Sequence, residues 1–244
     1  MSNKQKKAII DKDFSIIVNV GPGSFSGIRI SIAVAKGIKI SKGSKLYGYK
    51  DQDLADFNAK NIKLLIKNKL IDTKDIIIDS KSGYSGAGKK FDFNKIKSKN
   101  DYNFYNYNTN NHRHIAEIKQ ELNKHNSDNE VKFSFNPHIL PNFRGMISTI
   151  YCDLNNNIKK TDVINIFKDL QKINPFIKYI DNDETLDFFS VQNSNYCKIK
   201  IFNHHSEDKI IIVSAIDNLI KGAAGQAVQC FNIAENIEET LSLV

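Results

Sequence analysis

Residues 76–90 read IIIDSKSGYSGAGKK, and from Gly83 the run G-Y-S-G-A-G-K-K falls one residue short of the phosphate-cradling pattern G-x-x-x-x-G-K-[ST]. That pattern works only when complete. Its glycines turn backbone N–H groups to the phosphates, its Lys reaches the terminal phosphate, and its hydroxyl holds Mg²⁺. Here Lys90 stands at the hydroxyl position and cannot ligate the metal. The stretch that follows, FDFNKIKSKN, has little helical periodicity, so no helix N-terminus is expected to receive an anion. The glycine order is also wrong for the dinucleotide fingerprint G-x-G-x-x-G. Triphosphate chemistry is set aside, and a flexible glycine turn is the plain alternative.

Four other stretches could carry chemistry. In NNHRHIAEIKQEL (110–122), His112 and His114 flank Arg113 just before a helix. The histidines suit acid–base work near neutrality, and Arg113 suits a phosphate or carboxylate. A polar helix entry explains the same residues. In FNPHILPNFRGMISTIYCDL (135–154), two prolines predict a rigid loop around His138, and Arg144 leads into a buried strand. A solvated loop reads equally well. In DNLIKGAAGQAVQCFNI (217–233), Gly222 and Gly225 lie in a predicted helix, where each Gly costs about 1 kcal/mol against Ala. Either the helix packs very tightly, or a cofactor lies against its start with Asn218 as a hydrogen-bonding partner. In VNVGPGSFSGIRISIAVAKG (18–37), a strand, glycine turn and helix could cradle an anion or serve the fold alone. No histidine, cysteine and carboxylate spacing suggests a metal site.

These residues must be positioned by a real core. The chain has 244 residues and is 41% apolar, enough for one or two globular domains. It has no apolar run of 18 residues, and the N-terminal stretch lacks the apolar segment of a secretory signal, so a cytoplasmic protein without a membrane span is expected. Cys152, Cys197 and Cys230 are widely spaced, which suits a reducing compartment and argues against a disulfide framework. The net charge of +8 comes from lysines scattered among many Asn and Ile, so nucleic acid is not expected as a partner despite the sign. Strands are expected over 15–20, 45–49, 76–79, 131–135, 145–154, 196–203 and 210–215, the last two as a hairpin around HHSEDK. Helices are expected over 24–38, 61–71, 115–124, 161–173 (capped by Thr161) and about 218–234, with loop over 92–111. The order predicts an α+β fold, a mixed sheet with helices on one face, preceded by a short βα unit.

Residues 61–244 resemble N-acetyl-gamma-glutamyl-phosphate reductase, on SGYSGAGK (82–89), NHRHIAEIKQEL (111–122), PHILPNFRGMISTIY (137–151), SNYC (194–197) and DNLIKGAAGQAVQ (217–229), in that order. The resemblance implies a glyceraldehyde-phosphate-dehydrogenase-like catalytic domain in a homo-oligomer. It implies NADP as cofactor, lying by Ser82, Gly83, Gly86 and Asn218. The substrate is an acyl phosphate, N-acetyl-glutamyl 5-phosphate, reduced to the 5-semialdehyde with phosphate release. His112 or His114 is the implied acid–base group, and Arg113 and Arg144 are implied substrate contacts. The family's nucleophile is a cysteine in a Gly-Cys-Tyr-Pro-type turn some way before the glycine loop, yet this chain has no cysteine before Cys152. The family's dinucleotide fingerprint is absent too, so the chain is expected to be inactive by itself. VNVGPGSFSGIRISIAVAKGI (18–38) resembles instead the actin-fold partner subunit of the bacterial machinery for threonylcarbamoyladenosine in tRNA. The expected division is therefore 1–58 and 59–244, a truncated and chimeric arrangement. A non-catalytic interaction module tied to that tRNA modification is the alternative function.

Overall fold

The computed structural model describes residues 15–21, 45–50, 57–87, 91–98, 101–112, 114–124, 126, 130–181 and 183–244. The expected helix over 24–38, residues 22–24 of the anion cradle, residues 88–90 and Arg113 lie outside them. Strand β1 (Ser15–Gly21) pairs in parallel with β2 (Lys45–Lys50), and these two form a sheet of their own. Helix α1 is Phe57–Lys67. Then follow β3 (Ile76–Gly83), β4 (Tyr105–Asn106), α2 (Ile115–Asn123), β5 (Phe133–Leu140), β6 (Met146–Asp153), α3 (Lys160–Ile173), β7 (Ile177–Tyr179), β8 (Cys197–Asn203), β9 (Lys209–Ile216) and α4 (Gly225–Ala234).

Seven of these strands make one mixed sheet, ordered β4-β5-β3-β6-β9-β8-β7. β3 runs parallel to β5 and antiparallel to β6, and β6–β9 and β8–β9 are antiparallel. Alternation along each strand sorts the side chains between two faces. One face carries Ile76, Ile78, Phe135, Ile150, Cys152, Ile199, Ile201, Ile210 and Ile212, all buried in the core. Covering it are Ile62, Leu65 and Ile66 of α1, Ile118 and Leu122 of α2, and Val163 and Phe167 of α3. The other face leaves Ile77, Tyr151 and Phe202 about 40% exposed (41%, 39% and 40%). Helices on one face of a mixed sheet are what the sequence predicts.

Four local expectations are corrected. β3 does not stop at Asp79 but continues through Ser82 and Gly83, because β5 and β6 both pair with it along that length. His138 is not in a loop: it lies inside β5, opposite Lys81 of β3. Pro137 is tolerated there because β4, the neighbour on β5's other side, pairs only with His138 and Ile139. The cap of α3 comes not from Thr161 but from Asp162, whose Oδ2 accepts the Lys159 N–H at 2.8 Å. And 92–111 is not all loop, since it holds a short 3₁₀ turn (Phe93–Lys95) and β4.

Candidate functional site

The glycine turn sits where β3 ends, and its first three backbone N–H groups are committed. Gly83 N donates to Gly145 O (2.8 Å), Tyr84 N to Asn142 O (2.9 Å) and Ser85 N to Phe143 O (3.0 Å). Three successive N–H groups that a phosphate loop would offer to a ligand are thus spent on the 142–145 segment. A Cβ at Gly83 would stand 2.7 Å from the carbonyl oxygens of Asn142 and Phe143, so only glycine permits this approach. Gly145 has φ +111°, and a Cβ there would also press on the Phe188 ring. After Gly83 the chain makes one 3₁₀ turn, Tyr84–Ala87, rather than a loose loop. Gly86 is exposed, and a Cβ on it would come 3.1 Å from Ser82 Oγ and 3.6 Å from Asn218 Nδ2. Ser82 Oγ itself donates to Gly83 O at 3.0 Å.

Asn218 fastens this turn to the next strand. Its Nδ2 donates to Ser85 Oγ (2.8 Å), and its Oδ1 accepts the Gly145 N–H (2.6 Å). Arg144, adjoining Gly145, lies over the fully buried Asp217, with Nε 3.3 Å from Oδ2, and its Nη1 donates to Asn193 Oδ1. Gln192 Nε2 donates to the Arg144 carbonyl at 3.1 Å. So Ser82, Gly83, Gly86, Arg144 and Asn218, chosen from distant parts of the sequence, meet in one place. Ser85, Gly145, Asp217 and Asn193 belong to the same cluster and were not anticipated. The only signal for Asp217 was an acidic residue between a strand and a helix, a position that suits N-terminal capping.

The glycines of the last helix have two different explanations. A Cβ at Gly225 would meet Asn195 Oδ1 at 2.5 Å and Ile220 Cγ2 at 2.6 Å, so its absence serves tight packing. Gly222 has more room, its nearest neighbour being Ile216 Cδ1 at 3.5 Å. The helix opens as a π-turn, Ile220–Ala224, before α4.

His112 and His114 form a second cluster. Their rings are 4.7 Å apart, and His112 also meets Tyr107 and Phe135 edge-on, each at 5.4 Å. His112 Nδ1 accepts the His114 backbone N–H at 3.2 Å. That contact uses Nδ1 as an acceptor, which places the proton of the neutral ring on Nε2. Phe135 is in register with Ile78, whereas Ser82 is in register with Ile139. Four residues of strand, about 13 Å, therefore separate the aromatic wall of the histidines from the glycine turn. His138 belongs to neither cluster: its Nδ1 is 3.2 Å from Asp79 Oδ1 and its ring lies against Phe104.

The cysteines stand as expected, Cys152 in β6, Cys197 in β8 and Cys230 in α4. Burial, with the Asp153 carboxylate beside it, pushes the Cys152 thiol up to about 12. Burial alone carries the Cys197 thiol well above its ordinary value, outweighing the charge of Lys221. Both stay protonated near neutrality, and neither is a nucleophile there. No group of three or more His, Cys, Asp or Glu among the described residues could hold a metal ion.

Comparison with known proteins gives a consistent picture. The chain is 43% identical over 180 residues to the N-acetyl-gamma-glutamyl-phosphate reductase of Caldicellulosiruptor bescii, covering 74% of this chain and 52% of that protein. To the reductase of the same name from Acetivibrio thermocellus it is 42% identical over 175 residues, covering 72% and 50%. The chain thus spans about half the length of the curated relatives it matches. Among solved structures, aspartate semialdehyde dehydrogenase II from Vibrio cholerae, in complex with ASA, superposes with a TM-score of 0.59 at 14% identity, covering 83% of this chain and 65% of that one. Aspartate semialdehyde dehydrogenase from Francisella tularensis gives 0.56 at 17%, covering 85% and 68%. These structural likenesses establish the fold. Residues 60–218 match the family described as "Semialdehyde dehydrogenase, dimerisation domain", and the chain belongs to that family.

Proposed function

We propose that this chain carries the acid–base and positioning half of a reductase site that turns N-acetyl-glutamyl 5-phosphate into N-acetyl-glutamate 5-semialdehyde with loss of phosphate, and that by itself it does not turn over. The observation that carries the reading is the meeting of the glycine turn, Arg144 and Asn218. Each comes from a segment whose sequence resembles the reductases. NADPH would supply hydride when bound. Ser82, Gly86 and Asn218 would face it, Gly86 being exposed, while Gly83 acts from behind by letting the backbones meet. Arg144 would hold the anionic end of the acyl phosphate, and Arg113, which lies outside the described residues, is proposed as a further substrate contact. His112 or His114 would move the proton, His112 from Nε2.

The lack of turnover rests on the thiols. The reductase chemistry needs a thiolate to displace phosphate from the acyl group. Cys152 and Cys197 are buried with raised pKa values, and Cys230 lies within α4 rather than at a helix N-terminus. The test is phosphate- and NADP-dependent oxidation of N-acetyl-glutamate semialdehyde by the purified chain, with and without a thiol-blocking reagent. No activity is expected, and thiol-sensitive activity would overturn the reading.

Two coarser proposals accompany it. The protein is expected to form a homo-oligomer through the uncovered face of the sheet, where Ile77, Tyr151 and Phe202 are exposed, in keeping with the dimerisation domain it matches. It is expected to act in the cytoplasm, and among the described residues no helix is long and apolar enough to cross a membrane. A second reading makes the chain a non-catalytic interaction module tied to tRNA threonylcarbamoyladenosine modification. The separate parallel pair β1–β2 supports it, being the form a βα unit of that kind would take. Failure to co-purify with that machinery would remove it. On either reading the join belongs before α1, whose Ile62, Leu65 and Ile66 are core residues of the large sheet.

A further inference from the structure

Asp217 has no task in the chemistry above, yet its carboxylate ties together more of the chain than any other side chain around the glycine turn. It follows the last residue of β9 and is fully buried. Oδ1 accepts the N–H groups of Leu219 (2.8 Å) and Ile220 (3.0 Å), at the opening of the π-turn. Oδ2 accepts the Asn193 N–H (2.7 Å) and lies 3.3 Å from Arg144 Nε. A buried carboxylate is costly unless it is paired and hydrogen-bonded, and this one has partners from three segments of chain.

The consequences fall on its neighbours. The backbone is held on both sides of Asn218, by β9 before it and by the two capped amides after it. Asn218 therefore presents its amide in one orientation, Oδ1 to Gly145 and Nδ2 to Ser85. On its other side the same carboxylate forms an ion pair with Arg144, Nε at 3.3 Å, while Nη1 goes to Asn193. We propose that Asp217 is the positioning residue of this site, setting Asn218 and Arg144 together so that the cofactor side and the anion side are aligned by one buried group. The terms cofactor side and anion side rest on the reductase reading, whereas the alignment itself does not.

The test uses Asp217→Asn in the full chain. Amide hydrogen exchange is expected to quicken about tenfold at Asn193, Leu219, Ile220 and Gly145, the loss of one charge-assisted hydrogen bond, with Ile150 and Ile212 unchanged. The side-chain amide resonances of Asn218 should shift with them. NADPH and inorganic phosphate, titrated separately, should both weaken about tenfold, whereas Ser85→Ala should weaken NADPH alone. If Asp217→Asn does not fold, the double variant Asp217→Asn with Arg144→Gln removes both charges of the pair and should show the same local exchange. Uniform acceleration over the whole sheet, no local change, or NADPH and phosphate affinities that move independently would each overturn the proposal. If the parent chain binds neither NADPH nor phosphate, the reductase reading fails, and the exchange pattern alone decides the positioning role.

Discussion

The glycine turn closes β3 and the histidine pair packs on Phe135 of the neighbouring β5, yet they are built on opposite principles. The turn is made of backbone. Its N–H groups are spent on the 142–145 segment, its glycines are dictated by carbonyls 2.7 Å away, and Asn218 closes it with two hydrogen bonds. The pair is made of side chains. His112 and His114 touch each other, Tyr107 and Phe135 through ring edges at the entry of α2. The first holds a shape and carries no histidine or thiol. The second can exchange a proton but depends on aromatic packing to keep its place. The β5 positions in register with the two regions, Phe135 and Ile139, are four residues, about 13 Å, apart.

If that contrast is right, the turn should be the fragile region. Gly83→Ala should cost about 3 kcal/mol, as overpacking against backbone that cannot move, read as a lowered midpoint in urea. A cost below about 0.5 kcal/mol, the range of a surface change, would break the comparison. Neither region holds a thiol that ionises near neutrality, and a pH titration sharpens this point. The Cys152 pKa is raised on folding to about 12, so its contribution is present below the unfolded value near 9 and is lost as pH rises from there through 12. Thermal stability of the parent should accordingly fall over that window, by a few kcal/mol at its end, and Cys152→Ala should fall less steeply. Iodoacetamide at pH 7 should label Cys230, which is half-buried, well before Cys152 or Cys197.

Gly145→Ala combines a positive φ with the Phe188 ring and should cost about 2 kcal/mol in the same urea experiment. The smallest effect is expected at the histidines. His112→Ala gives up ring contacts and one weak acceptor, so its stability should change by about 1 kcal/mol or less. Its signature belongs in acid–base behaviour, and nuclear magnetic resonance titration of the His114 ring should move when His112 is removed. A histidine substitution more damaging to stability than Gly83→Ala would reverse the assignment of scaffold and proton carrier.

The sheet was largely legible from its apolar residues, because 145–154 intersperses Met, Ile and Cys with polar residues and 210–215 opens on a run of Ile and Val. What escaped was strand made of polar residues. Ser80, Lys81 and Ser82 look like turn chemistry, yet β5 and β6 on either side impose extended backbone on them. His138 misled in the same way: flanking prolines suggest a loop, and only the brevity of β4 explains how Pro137 fits a sheet. Of the site, Asn218, Arg144 and the glycines could be picked by type and pattern. Asp217 could not, since its importance comes from facing segments 24 and 73 residues away, at Asn193 and Arg144, which no local pattern records.

One further consequence follows from the rims of the large sheet. Its outermost strands are β4, two residues long, and β7, three residues long, while every strand between them has seven or eight. Growth of a fibril by strand addition needs a long, straight row of unpaired backbone groups. Neither rim offers one, so the central strands, rich in Ile and Val, are shielded from runaway polymerisation by neighbours too short to act as templates. Concentrated solutions of the folded protein should yield discrete particles rather than fibres.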